Sequence, residues 1–230
     1  MNEDNTAIGA ATEYLTDNIL ITKSFLALPE KLAKAVIVHE YTHMIVTRAF
    51  VAQGSSKSLL ENLLEYKDDP FMGIMLADSH TAYAELLCDL MPTLITRDSK
   101  LFPQFIDETR TFVEKTPELS IHVDRLVKDK PYGLSVRDFS ISDKDPRWDS
   151  YDPKDGHYNR FNQLRAYLWN NWIKDLPREK SSQLFQSVLG FLRLVHAQGQ
   201  LDILKDSEGI AESNRLLIEA LDQHLSSELN

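Results

Sequence analysis

The chain has 230 residues, 43% hydrophobic and 26% charged, with a net charge of −10. This composition is ordinary for a globular protein and allows one large domain or two small ones. The negative balance argues against a nucleic-acid binder, which needs a basic face, and no run approaches the roughly eighteen uncharged apolar residues of a transmembrane helix.

The opening Met1-Asn2-Glu3-Asp4-Asn5 is acidic and polar, unlike a Sec-type signal peptide. No basic cluster is long enough to suggest binding to an anionic membrane. The single cysteine, Cys88, excludes an internal disulfide framework. These features fit a cytoplasmic protein, or one exported without a cleaved signal peptide. The oligomeric state is not readable.

Residues 9–27 read as a β-hairpin. Ala11–Leu15 forms the first arm, Thr16-Asp17-Asn18 supplies turn chemistry, and the β-branched Ile19–Thr22 forms the second arm. Leu28–Ala52 then reads as one long helix. Pro29-Glu30 suits its start, because proline is tolerated in the first turn and the acid is favoured by the helix dipole. Leu32, Val36, His39, His43, Val46 and Phe50 follow helical spacing.

That helix carries His39-Glu40-x-x-His43. Residues four apart share a helix face, so His39 and His43 can point two imidazole nitrogens at one metal ion. Glu40 stands about 100° around from His39, within reach of a water on that metal. Three polar groups among valines and isoleucines are costly to bury unless paired or metal-bound. Two ligands and one general base from a single helical turn are the content of a zinc-peptidase motif.

His39-Glu40-x-x-His43 resembles the active-site helix of the zincin metallopeptidases, over roughly residues 9–95. The resemblance implies a cleft edged by the strand preceding that helix, here Ile19–Lys23, where an extended substrate adds its backbone to the sheet. Read without it, the hairpin is sheet scaffold. The metzincin continuation is absent, since Met44-Ile45-Val46-Thr47-Arg48-Ala49 follows His43.

Lys57–Tyr66 reads as a short helix, broken by Lys67-Asp68-Asp69-Pro70. Phe71–Leu76 is apolar and ambiguous. Asp78 or Ser79 caps a further helix running to about Met91, ended or kinked by Pro92. It carries Glu85 and Asp89, four apart on one face. A catalytic zinc usually has three protein ligands and a water, so His39 and His43 need a third partner. The pair resembles the downstream Glu-x-x-x-Asp of the gluzincin branch of the zincins. That resemblance implies Glu85 as third ligand and Asp89 as the acceptor holding the other N–H of the first histidine. The separation of 42 residues (85 − 43) exceeds that of the most compact gluzincins, and the helix at 57–66 accounts for the excess. His80 and Asp89 are the rival third ligands, and two acids on a solvated face are the plain alternative. Cys88 reads as a small buried residue.

Residues 99–115 read as a helix with Phe102, Phe105, Ile106 and Phe112, and 117–127 as another; His122 reads as a surface residue. Residues 128–155 are loop-like and acidic, with Leu134–Ile141 a candidate strand and the whole segment one wall of a cleft. Its Asp138, Asp143, Asp145, Asp149, Asp152 and Asp155 match no calcium loop and read as solvated. Gly156–Arg160 opens a helix with Phe161, Leu164, Leu168 and Trp172 at helical spacing. Gluzincins commonly supply a downstream His or Tyr as donor to the scissile carbonyl oxygen, and His157 and Tyr158 are the candidates; capping or surface packing is the alternative. Lys180–His196 and Ser207–Leu225 carry apolar stripes of bundle type, with His196 and His224 near their C-termini.

The expected fold is α+β and mainly helical. Residues 1–127 would form a reduced zincin-like core with a small N-terminal sheet, and residues 128–230 a cleft loop and helical subdomain. The expected activity is zinc-dependent hydrolysis of a peptide or protein substrate, with Glu40 as general base, and His39, His43 and Glu85 holding Zn²⁺. The alternatives are a zincin-like domain without catalysis, and a zinc hydrolase acting on another bond.

Overall fold

The computed structural model describes residues 10–13, 18–21, 25–51, 70–115, 137–145, 148, 160–196 and 210–229, with backbone alone at 10–13, 51, 70–81, 109–110 and 112–114. The fold is mainly helical. Strands β1 (Ala10–Glu13) and β2 (Asn18–Ile21) pair antiparallel, with Ala10 opposite Ile21 and Glu13 opposite Asn18. Asn18, expected in the turn, is thus the first residue of β2. A two-stranded pair is marginal on its own, and both strands pack against the first helix.

Helix α1 (Glu30–Val51) follows a 3₁₀ turn at Phe25–Ala27 and is about 33 Å long. Its ends dock in different places. Leu32 and Ala35 pack with Leu101 and Phe102, whereas Val46 and Phe50 enter the main core. His39 and His43 lie between those apolar anchors, so the flanking packing fixes the face on which they stand.

Helix α2 (Pro70–Thr96) is longer than expected at both ends. It does not begin at Asp78 or Ser79, because the apolar run after Pro70 continues the helical pattern and proline suits a first helical position. It does not stop at Pro92. A proline in a helix interior costs roughly 3 kcal/mol or more, but Leu90 and Leu94 on either side are buried and hold the helix together. Thr93 Oγ1 donates to the Asp89 carbonyl at 2.8 Å, and Thr96 Oγ1 to that of Pro92 at 2.8 Å. The helix ends at Arg97, whose φ of 57° is left-handed. The Arg97 guanidinium donates to Ile173 O at 2.7 Å and Ser181 Oγ at 2.8 Å, tying this turn to the C-terminal helices.

Helix α3 (Leu101–Glu114) follows, with Leu101, Phe102 and Ile106 buried. Residues 137–145 form turns, and 137–141 contain no strand, contrary to expectation. The Phe139 N–H donates to Ser99 O at 3.0 Å, and its ring is fully buried. Asp138 Oδ1 accepts from the Ser140 N–H at 2.7 Å, an Asx turn that competes with a strand ladder. This segment therefore serves as an anchored turn.

Helices α4 (Asn162–Leu168), α5 (Ser181–Leu194) and α6 (Ile210–Leu229) complete the described elements, with a π-helical turn at Trp169–Ile173 after α4 and a 3₁₀ turn at Arg178–Lys180 before α5. The Trp172 indole donates to Tyr167 Oη at 2.9 Å, and that hydroxyl donates to Asp222, joining α4 to α6. The main core draws on α1, α2, Phe139 and α4–α6. His196 stands just past the C-terminus of α5, as expected, whereas His224 lies further inside α6 than expected. His196 packs its ring on Phe50 and Tyr83, and His224 lies against Phe191, inside a helix that continues to Leu229. Among the described residues no helix is long and apolar enough to cross a membrane.

Candidate metal centre

Helices α1 and α2 face each other in opposite senses. His39 meets both Glu85 and Asp89, and His43 meets Glu85. His39 Nε2 and His43 Nε2 are 3.1 Å apart. Glu85 Oε2 lies 3.5 Å from His39 Nε2, and Oε1 lies 3.5 Å from His43 Nε2. Ligands held tetrahedrally at about 2.0–2.2 Å from a metal stand about 3.3–3.6 Å from one another. Glu85 meets the two histidines through different oxygens, and one ligand atom from each of the three side chains lies within 4.8 Å of the others. They are all buried, and they could hold a metal ion.

Asp89 is fully buried on the next turn of α2. Its Oδ1 lies 3.2 Å from His39 Nδ1, the nitrogen that does not face His43. A carboxylate there fixes the ring orientation and tautomer, leaving Nε2 for a metal. The same carboxylate accepts from two arginines. Arg165 reaches Oδ2 from Nη2 at 2.8 Å and from Nε at 3.2 Å. Arg137 Nε lies 3.0 Å from each oxygen, and its Nη2 bonds Oδ1. With these partners Asp89 is engaged as an acceptor, and the group suited to a metal is His39, His43 and Glu85.

Arg137 also reaches Glu85. Its Nη2 donates to Oε2 at 3.1 Å and lies 3.2 Å from both ring nitrogens of His39. An atom equidistant from both ring nitrogens is on neither lone-pair axis. The two Nη2 protons therefore serve the carboxylates, and the imidazole is a packing neighbour. The guanidinium carbon is 4.5 Å from the centroid of Phe102, whose ring also meets His39 edge-on at 5.5 Å.

The electrostatics follow from burial and these partners. Burial and Arg137 both lower the pKa of His39, but hydrogen bonds to Asp89 and Glu85 outweigh them and raise it to about 9. His43 is lowered to about 4, first by burial and then by the charge of His39. Burial raises Glu85, yet the His39 hydrogen bond and Arg137 bring it down to about 2. Asp89 is held well below the carboxylate range: burial opposes this, and the two arginines prevail.

Glu40 is buried beside His39 on α1. Its charge reaches Cys88, whose thiol is pushed up chiefly by burial and then by Glu85, Asp89 and Glu40. Cys88 is fully buried, which matches a packing role. His80 belongs to α2, but its side chain is not among those described; His157 and Tyr158 lie outside the described residues, as do 57–66 and 117–127.

Sequence reasoning missed both arginines. Arg165 had a signal: it falls on the stripe of Phe161, Leu164 and Leu168, where a charge must be paired if the helix packs. Arg137 had none, since it stands in a turn that no periodicity marks. The chain matches no protein-family model, no curated protein and no solved structure.

Proposed function

We propose that this chain is a zinc metallopeptidase of gluzincin type, cleaving a peptide or protein substrate. The observation that carries the reading is the buried group of His39, His43 and Glu85, whose ligand atoms lie within 4.8 Å of one another, with Glu40 on the same helical turn as the histidines. Imidazole and carboxylate donors suit zinc, and three protein ligands leave a position for water, as a catalytic site requires.

His39, His43 and Glu85 would hold the metal, which would supply a bound water of pKa about 7 and Lewis-acid polarisation of the scissile carbonyl. Asp89 keeps His39 oriented through Nδ1. Glu40 accepts the proton of the attacking water and passes it to the leaving amine. The charge that develops on the carbonyl oxygen calls for a donor, and the sequence offers His157 or Tyr158. The exposed edge of β2 is the candidate for pairing with substrate backbone.

One observation favours a structural reading. Arg137 and Arg165 already satisfy Asp89, and Arg137 satisfies one oxygen of Glu85. In the metal-free protein the two imidazole nitrogens at 3.1 Å share a hydrogen bond, a contact that metal binding would replace.

The deciding experiment compares wild type with Glu40→Gln for metal content and for cleavage of a random peptide library. The expected result is stoichiometric zinc in both and cleavage only by wild type. A zinc-loaded Glu40→Gln protein that still cleaves would remove the mechanism.

A further inference from the structure

Resting on the metal reading above, we propose that Arg137 is a positioning residue that limits Glu85 to one ligating oxygen and weakens the site's hold on the dication. The Arg137 Nη2 proton occupies Glu85 Oε2 at 3.1 Å, while Oε1 faces His43. A carboxylate oxygen bound to a guanidinium has a lone pair and part of its charge taken up, so it is the poorer donor and ligation favours the other oxygen. The coordination position that a bidentate Glu85 would take stays open to water.

Arg137 is built to stay in place. Its Nε spans both oxygens of Asp89, its guanidinium lies over Phe102, and the chain two residues later is fixed by the Phe139–Ser99 hydrogen bond. A guanidinium is always charged and places its donors in a rigid fork, whereas an ammonium would offer one mobile point. The site thus carries a fixed cation directly against two groups meant for a dication. Such an arrangement lowers affinity and sharpens the metal as a Lewis acid, because both the donor strength of Glu85 and the local negative charge are reduced.

The test measures Zn²⁺ and Co²⁺ affinity by chelator competition, and the visible spectrum of the Co²⁺ form, for wild type, Arg137→Met and Arg137→Lys. In Arg137→Met the metal should bind about tenfold tighter, as expected when a fixed cation leaves the site. Its Co²⁺ bands should weaken as Glu85 becomes bidentate and four-coordination gives way to five. The metal-free melting temperature should fall, because Asp89 and Glu85 lose a partner. Arg137→Lys should restore affinity to within about threefold of wild type, since the charge is kept. Arg137→Gln gives the same comparison if the Met variant does not fold. Affinity unchanged or weaker, with an unchanged Co²⁺ spectrum, would reduce Arg137 to an ion pair of the fold and overturn the proposal alone. Absence of stoichiometric metal and of Co²⁺ bands in wild type would overturn the metal reading together with it.

Discussion

His39 Nδ1 lies 3.2 Å from Asp89 Oδ1, and the other oxygen of that carboxylate takes Arg165 Nη2 at 2.8 Å. One buried acid therefore orients a histidine on α1 and neutralises an arginine on α4. The imidazole is held by a group that is itself held, which limits how far His39 can turn. Asp89→Asn should lower metal affinity by roughly 10–100-fold, the usual cost of losing the acceptor behind a ligating histidine. It should also destabilise the fold by about 3–5 kcal/mol, because two buried arginines lose their counter-charge. Chelator competition and denaturant unfolding measure the two effects separately.

Arg165 is fully buried, and it should be needed for the fold more than for the site. Arg165→Met removes one of two cations from Asp89 but leaves Arg137 and His39 on Oδ1. The expected loss is about 3 kcal/mol of stability, with metal affinity within about threefold of wild type, given that no ligand contact is lost. Unfolding curves and metal titration on the same preparation check this. A large loss of affinity at unchanged stability would place Arg165 in the metal site instead.

Glu85 separates the candidate third ligands. Glu85→Gln keeps the volume and removes the charge, so metal affinity should fall by at least about 100-fold if Glu85 ligates. The polar contact with Arg137 is kept in part, so the protein should still fold. Unchanged zinc stoichiometry and affinity would transfer the role to His80, whose imidazole is the remaining alternative on α2. Metal analysis after dialysis, with His80→Ala alongside, decides between them.

The legible part of this site is the part that one helix makes by itself. His39, Glu40 and His43 share a turn, and Glu85 and Asp89 share another, so spacing alone places each pair on a face. Bringing the two faces together is a tertiary event, which the sequence reached only by resemblance. The arginines were harder. Arg137 acts from a turn held by a backbone bond to Ser99, and nothing periodic marks a residue whose position is set by its neighbour's anchor. Of the fold, the long first helix and the apolar stripes of α5 and α6 followed from period 3.6. The ends of α2 did not, because Pro92 reads as a stop. Only the buried leucines around it show that packing overrides propensity.

The histidines give the metal-free protein an optimum in stability. His39 has a folded pKa of about 9 against an ordinary 6.5. Its contribution is complete below 6.5 and is lost as pH rises through 9. His43 is depressed from 6.5 to about 4, so its contribution is present above 6.5 and lost as pH falls through 4. Glu85, depressed from 4.5 to about 2, adds a further loss as pH falls below 4.5. Stability from this cluster should therefore be greatest near 6.5 and decline on both sides. Metal removes the alkaline limb and steepens the acid one, because His39, His43 and Glu85 must all be unprotonated to ligate. A ligating His39 must be neutral, so binding at pH 7–8 should release about one proton. Above 6.5 the loaded protein should keep the stability that the metal-free protein loses, because the ion replaces that proton between His39, His43 and Glu85. Calorimetric titration with zinc in buffers of different ionisation heat measures the proton, and melting curves from pH 6 to 9 with and without chelator measure the rest. A binding heat independent of the buffer would show that His39 is already neutral in the metal-free chain, and parallel melting curves would show that its proton does not stabilise the fold.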